Sequence, residues 1–257
     1  MNRISDYKKL SIDIIDWMYN YANNNSINAF VIGVSGGIDS AVSSVLSAKT
    51  GLPVYALGMP IHQKEEQENL SDLHLEYLQK NFSNVIVQKY NLSEVFESFK
   101  NEMGEFGINS HALANTRSRL RMVTLYQVAT SVGGIVVGTG NKVEDYGIGF
   151  YTKYGDGGVD IAPIADLYKT EVWELGKSLG IDQRIIEANP TDGLWDDGRT
   201  DEDQIGTSYE MLEWVMERGL NEDSMFLNEN QTNAIQIYKK FNKQNKHKMI
   251  SIPTFKL

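Results

Sequence analysis

Apolar residues recur along the chain with two periods, and the two alternate. Leu10, Ile14, Trp17, Met18 and Tyr21 follow helical spacing and predict an amphipathic helix ended by the polar run Asn23 to Ser26. Phe30-Val31-Ile32 is a short apolar run of strand type, followed by glycines and then by Ala41, Val42, Val45 and Leu46 at helical spacing. Val54 to Met59, stopped by Pro60, predicts a second strand, and Leu70, Leu73, Tyr77 and Leu78 the helix after it. Asn84 to Val87 predicts a third strand, Val95, Phe96 and Phe99 a short helix, and Gly104 to Ser110 a loop. From Ala112 to Ser131 the apolar residues Leu120, Met122, Val123, Leu125, Val128 and Ala129 point all round, which predicts a largely buried helix. Gly134 to Gly138 is the fourth strand. Asp166 is placed to cap a helix carrying Tyr168, Val172, Leu175 and Leu179, with Gly180 past its end, and two more helices are predicted near 203–218 and 229–242.

Strands alternating with helices imply an α/β fold with a mostly parallel sheet and helices on both faces. Ligands in such folds sit beyond the carboxyl ends of the strands. The loop after strand one and the residues after strand four, Thr139 and Glu144, should therefore open onto one cleft. Residues 1–257 show no repeat and no linker, so a single domain is expected.

Composition narrows the function. There is no cysteine, which excludes thiolate metal sites and a cysteine nucleophile. Acids exceed bases by 34 to 24, a balance opposite to that of a nucleic-acid surface. No apolar run is long enough to span a bilayer, and Met1 to Asp6 lacks the apolar core of a signal peptide, so a cytoplasmic protein is expected.

The candidate chemistry begins at Gly33-Val34-Ser35-Gly36-Gly37-Ile38-Asp39-Ser40. Glycines let the backbone approach a ligand, serines offer hydroxyls, and the following helix aims its unpaired N–H groups at the loop, so an anion, best a phosphate, is expected there. The loop has no lysine, which excludes the Walker A pattern, and its spacing is not that of the dinucleotide fingerprint. Asp39 would repel a polyphosphate unless a cation lay between, and Asp39 with Glu144 would make a reasonable Mg²⁺ pair. Arg117, Arg119 and Arg121 need anionic partners, whether internal carboxylates or a bound ligand. Lys169 falls in the first turn of its helix, where the dipole disfavours a cation, so it should hold an anion.

The pattern S-G-G-x-D-S resembles the pyrophosphate loop of the ATP pyrophosphatase superfamily. Gly138 to Glu144, Gly149 to Asp160, Ile161 to Lys169, Pro190 to Trp195 and Thr200 to Glu202 together resemble the bacterial NAD synthetase family. The resemblance implies an adenine nucleotide alpha hydrolase-like (Rossmann-like) fold and an AMP-forming ligase that makes NAD⁺ from deamido-NAD, ATP and ammonia through an adenylated intermediate, as a homodimer. It implies that Gly33, Val34, Ser35, Gly36, Gly37, Ile38, Asp39 and Ser40 bind ATP with Thr139, Lys169 and Thr191. It implies Mg²⁺ on Asp39 and Glu144. It further implies deamido-NAD on Arg119, Lys153, Asp160, His247 and Lys248, with Asp39, Lys153 and Lys169 as the catalytic residues. The adenine of ATP is expected near Leu57 to Met59. Glutamine-using relatives carry an N-terminal amidase domain with a cysteine nucleophile, which is not expected here. Three departures from the family pattern stand out: one extra residue between Glu144 and Lys153, Arg199 where glutamine is common, and Met249 where arginine is common. A GMP-synthetase-like or tRNA-modifying ligase of the same superfamily, or a nucleotide-binding sensor without chemistry, are the alternatives.

Overall fold

A computed structural model describes residues 3–195 and 198–256. Met1, Asn2 and the acidic residues Asp196 and Asp197 singled out in the sequence lie outside the described residues.

The sheet is four-stranded and entirely parallel, in the order β3-β2-β1-β4, with β1 Phe30–Gly33, β2 Val54–Gly58, β3 Val85–Lys89 and β4 Ile135–Val136. Val137 adds a parallel bridge to Ile161, which carries the sheet one step beyond β4. The period of two decides which helices cover which face. Phe30, Ile32, Val54, Ala56 and Val137 point into one cluster shared with α2 (Ile38–Lys49), α3 (Glu65–Asn81) and α6 (Lys169–Leu179). Val31, Leu57 and Val136 point the other way, onto Met122, Leu125 and Ala129 of α5 (Ser110–Val132). Helices therefore lie on both faces, as the alternation of elements requires.

α1 (Tyr7–Asn24) packs on the first cluster through Leu10, Ile14, Ile15, Met18 and Ala22. Trp17 and Tyr21, read from spacing as part of that face with Leu10, Ile14 and Met18, are 46 and 37 % exposed, because Ile15 and Ala22 complete the packed stripe instead. The predicted burial of α5 is also corrected. The helix buries only one side, Val123 is 67 % exposed, and Arg119 faces outward.

The remaining helices are α4 (Ser93–Glu102), α7 (Gln183–Ile186), α8 (Asp201–Ile205), α9 (Tyr209–Glu217) and α10 (Glu229–Met249). The helix expected near 203–218 is thus two helices, split where Gly206 takes a φ of 91°. α6 begins at Lys169, not after Asp166. The Glu171 carboxylate accepts the Tyr168 N–H at 2.8 Å, while Asp166 is exposed and accepts Lys142 Nζ at 2.7 Å. A third cluster joins α8, α9 and α10 to the segment after β4 through Val143, Ile148, Tyr209 and Leu212. Among the described residues no helix is long and apolar enough to cross a membrane.

Candidate active site

The strand order reverses between β1 and β4, and the loops leaving those two strands diverge to form a crevice. A cavity of about 490 Å³ opens there, lined by the whole of Gly33 to Ser40 and by Thr139, Glu144, Lys169 and Thr191. Every residue expected to hold ATP lines it. Of the expected adenine segment, Gly58 and Met59 line the cavity, whereas Leu57 is fully buried against α5.

The glycine loop is built for close approach. Gly36 has φ 89°, and a Cβ there would lie 2.7 Å from the Ser71 nitrogen of α3, so both conformation and contact demand glycine. Gly37 caps α2 without any side-chain hydrogen bond, leaving the first N–H groups of that helix facing the cavity. The Ser35 and Ser40 hydroxyls lie 3.0 Å apart, and Ser40 donates to the Gly37 carbonyl at 2.9 Å, which holds the loop in shape.

Behind the loop lies an ionic cluster drawn from three distant segments. Lys169 Nζ, with 3 % of its side chain exposed, contacts Asp39 Oδ2 at 2.5 Å and Glu144 Oε1 at 3.1 Å. Burial alone would lower the pKa of Lys169, but Asp39 and Glu144 outweigh it and hold the ammonium charged. Burial pushes Asp39 up, and Lys169 opposes it. Asn141 is fully buried and works in two directions. Its Nδ2 donates to Asp39 Oδ1 at 3.3 Å, and its Oδ1 accepts the N–H groups of Val143 and Glu144.

Glu144 is the second residue of a π-helical turn, Val143–Ile148. A one-residue insertion into a helical turn gives this geometry, which matches the extra residue counted between Glu144 and Lys153. The turn also brings Asp145 into the cavity lining, where burial and then Glu144 push its carboxyl up to about 8.

Sequence reasoning missed several contributors. Tyr209 is fully buried and donates to Glu144 Oε1 at 2.7 Å, yet in the sequence it is one more aromatic on a helix. Asp201 lies among many acids, but it is 5 % exposed and burial raises it to about 7 against the pull of Lys169. Arg121 was read only as needing an anion. It lines the cavity, donates to the Met59 carbonyl at 3.0 Å and to Gln63 Oε1 at 2.9 Å, and is lowered to about 10 by burial and Arg117.

The residues expected to hold deamido-NAD gather elsewhere, on a rim beside the cavity. Lys153 Nζ donates to the His247 carbonyl at 3.2 Å, Lys248 Nζ to the Tyr151 carbonyl at 2.7 Å, and Arg119 Nε to the Lys153 carbonyl at 3.2 Å. Asp160 lies apart from that rim. Its two oxygens accept the Tyr126 hydroxyl at 2.9 Å and the Val136 N–H at 2.8 Å. Lys153 is therefore not brought together with Asp39 and Lys169.

A cavity lined by a lysine-free glycine loop and backed by a buried Asp–Lys–Glu cluster is a narrow combination. The family model described as NAD synthase matches residues 10–252. The chain belongs to the NAD synthase family. It is 38 % identical over 218 residues to an NH(3)-dependent NAD(+) synthetase of Thermococcus kodakarensis, covering 84 % of this chain and 82 % of that one. The solved structure of an NMN synthetase from Francisella tularensis aligns with a TM-score of 0.87 and 31 % identity, over 99 % of this chain and 100 % of that one. An NH3-dependent NAD synthetase from Campylobacter jejuni shares the fold at a TM-score of 0.77 and 24 % identity, over 98 % of this chain and 100 % of that one. Membership makes the chain a ligase-type enzyme of NAD biosynthesis that uses ATP, and sets aside the sensor reading.

The metal expected on Asp39 and Glu144 fits the donor set. Two carboxylates share one lysine beside the cavity that the glycine loop lines, and hard oxygen ligands of this kind suit Mg²⁺. Among the described residues no three acidic or imidazole side chains converge as a ready cage, so phosphate oxygens would have to complete the shell.

Proposed function

We propose that this chain makes NAD⁺ by amidating deamido-NAD with ammonia at the expense of ATP, releasing AMP and pyrophosphate. The observation that carries the reading is the Asp39–Lys169–Glu144 cluster behind a lysine-free glycine loop. It serves a reaction in which the β- and γ-phosphates leave together.

The α2 N-terminus and the N–H groups of Gly33 to Ser40 hold those phosphates, helped by Thr139, Thr191 and Lys169. Asp39 and Glu144 hold Mg²⁺, which supplies charge neutralisation on the departing pyrophosphate when bound. Lys169 is the movable cation: it neutralises the two carboxylates in the empty site and turns to phosphate oxygen when nucleotide and metal arrive. The rim formed by Arg119, Lys153, His247 and Lys248, with Asp160 beyond it, places the carboxylate of deamido-NAD for attack on the α-phosphorus. The P–O bond to pyrophosphate breaks as the acyl–adenylate bond forms. Ammonia then adds to the acyl carbon, AMP leaves with the bonding pair, and a proton is lost to give the amide. No side chain acts as nucleophile, so positioning supplies much of the rate.

Residues 1–257 act as one domain, a homodimer in the cytoplasm, with free ammonia as the nitrogen donor. The absence of cysteine supports the last point, since it removes the usual amidase nucleophile. The test is incubation of purified protein with ATP, Mg²⁺, deamido-NAD and either ammonium or glutamine. NAD⁺ and AMP with ammonium only is the expected result. ADP, or glutamate formed in step with NAD⁺, would overturn the reading.

A second reading concerns the acceptor. The end-to-end likeness to an NMN synthetase favours nicotinic acid mononucleotide as an alternative substrate, giving NMN by the same chemistry. Both oxygens of Asp160 are already engaged within the chain, which also suits a smaller acceptor. The ratio of kcat/KM for mononucleotide and dinucleotide decides between the two.

A further inference from the structure

Asp201 carries an oxygen that the fold does not use. The residue is 5 % exposed, lines the cavity, and its Oδ1 is buried without a hydrogen-bond partner. The other oxygen, Oδ2, lies 3.1 Å from the Tyr209 hydroxyl. That hydroxyl has one proton to give and sits closer to Glu144 Oε1, at 2.7 Å. Lys169, the nearby cation, directs its hydrogen bonds to Asp39 and Glu144. Leaving a buried carboxylate oxygen unserved is costly, so a group with positive charge belongs beside it.

The position of Asp201 is fixed from two sides. Its N–H donates to the Pro190 carbonyl at 2.9 Å, next to Thr191. It is also the first residue of α8, behind the Thr200–Asp203 capping pair. The carboxylate is thus pinned between the Thr191 loop and Glu144. Mg²⁺ on nucleotides commonly takes one or two carboxylates together with phosphate oxygens and water.

We propose that Asp201 is an additional cation anchor of this cleft, holding Mg²⁺ jointly with phosphate oxygens of the bound nucleotide. This rests on the reading of the cavity as an ATP site. Asp201 holds the metal through Oδ1, while Tyr209 keeps Oδ2 and Glu144 at a fixed separation.

The test needs neither deamido-NAD nor turnover. Mn²⁺ is titrated into the protein saturated with α,β-methylene-ATP, and free Mn²⁺ is read by electron paramagnetic resonance. Asp201→Asn keeps the volume and the acceptor for Tyr209 but removes the charge, and Asp201→Ser is the second variant if the first folds poorly. Loss of a Mn²⁺ equivalent, or a fall of about tenfold or more in its affinity, is expected, with circular dichroism unchanged. Asp203→Asn removes a charge from the same helix but outside the cavity lining, and should hold Mn²⁺ as the wild type does. A loss in Asp203→Asn equal to that in Asp201→Asn would assign the effect to general charge or packing and overturn the proposal. Unchanged Mn²⁺ binding in the Asp201 variants would overturn it as well. If the wild type does not bind the analogue, the ATP reading itself fails.

Discussion

Lys169 and Asp39 lie 130 residues apart and meet at 2.5 Å, with only 3 and 16 % of their side chains exposed. Removing one member of such a pair leaves an uncompensated buried charge, and here Glu144 adds a second. Lys169→Met should therefore destabilise the ligand-free protein by about 3 kcal/mol or more. Added Mg²⁺ should recover part of the loss in Tm, since the cation replaces the missing positive charge. Turnover should fall by about a hundredfold or more, because a donor on the departing charge is lost. Thermal scans with and without Mg²⁺, alongside kcat, check this. A Tm indifferent to Mg²⁺ would contradict the metal role.

Asp39→Asn separates charge from fold. The amide oxygen keeps one acceptor, for Lys169, and the similar volume preserves the packing, so folding should persist while most activity disappears. Raising ammonium should not rescue it. Near wild-type turnover at limiting Mg²⁺ would show that Asp39 holds no metal.

Arg119, Lys153 and Asp160 lie outside the nucleotide cavity. Alanine at each should raise KM for the pyridine-nucleotide substrate more than KM for ATP. Asp160→Ala carries a second cost, because the Tyr126 hydroxyl and the Val136 N–H lose their acceptor. Initial rates with each substrate varied in turn measure the difference. Equal effects on both constants would indicate general damage.

α5 turns one side outward and carries Val123 there, 67 % exposed, beside the outward-facing Arg119. In a homodimer this side would meet its own copy, the same patch being used twice. Val123→Asp should convert the dimer to a monomer and lower activity. Analytical ultracentrifugation at assay concentration is the measurement, and a fully active wild-type monomer would rule the dimer out as a requirement.

His74 offers a pH test away from the site. It is 1 % exposed between α2 and α3, Nε2 lies 2.9 Å from Ser44 Oγ, and burial lowers its pKa to about 4 from 6.5. The Ser44 hydroxyl also lies 3.0 Å from the Ala41 carbonyl, and burial favours the neutral ring beside it. The unfolded chain takes up the proton near pH 6.5 and the folded chain only near 4. Stability from this group is thus complete above 6.5 and is lost as pH falls towards 4, by about 2 kcal/mol at pH 5. Urea unfolding at pH 7.5 and 5 should show that loss, and His74→Gln should remove most of it.

Much of the site was legible because it is local. The glycine loop, its two serines and Asp39 form one run whose spacing alone specifies a strand, a tight turn and an open helix end. Thr139, Glu144 and Lys169 were readable because each follows the end of a strand or starts a helix. The insertion after Glu144 was visible as one extra residue, although its outcome, a π-turn that carries Asp145 inward, was not.

Long-range partnership was not legible. Periodicity cannot tell which of two adjacent apolar stripes packs, so Trp17 and Tyr21 were read with Leu10, Ile14 and Met18, although Ile15 and Ala22 complete the packed face. It also cannot tell a helix buried on all sides from one with a face left for another molecule, which is why α5 was over-buried. Tyr209 and Asp201 look ordinary in sequence, and only the packing of α8 and α9 against the π-turn sets them beside Glu144. The sequence by itself determined the parallel α/β order and the phosphate loop, because local backbone preferences and alternation act over a few residues. The tertiary structure decided which acids share Lys169 and which one keeps an unserved oxygen, because burial and Coulomb interaction depend on distance in space, and chain separation carries no record of it.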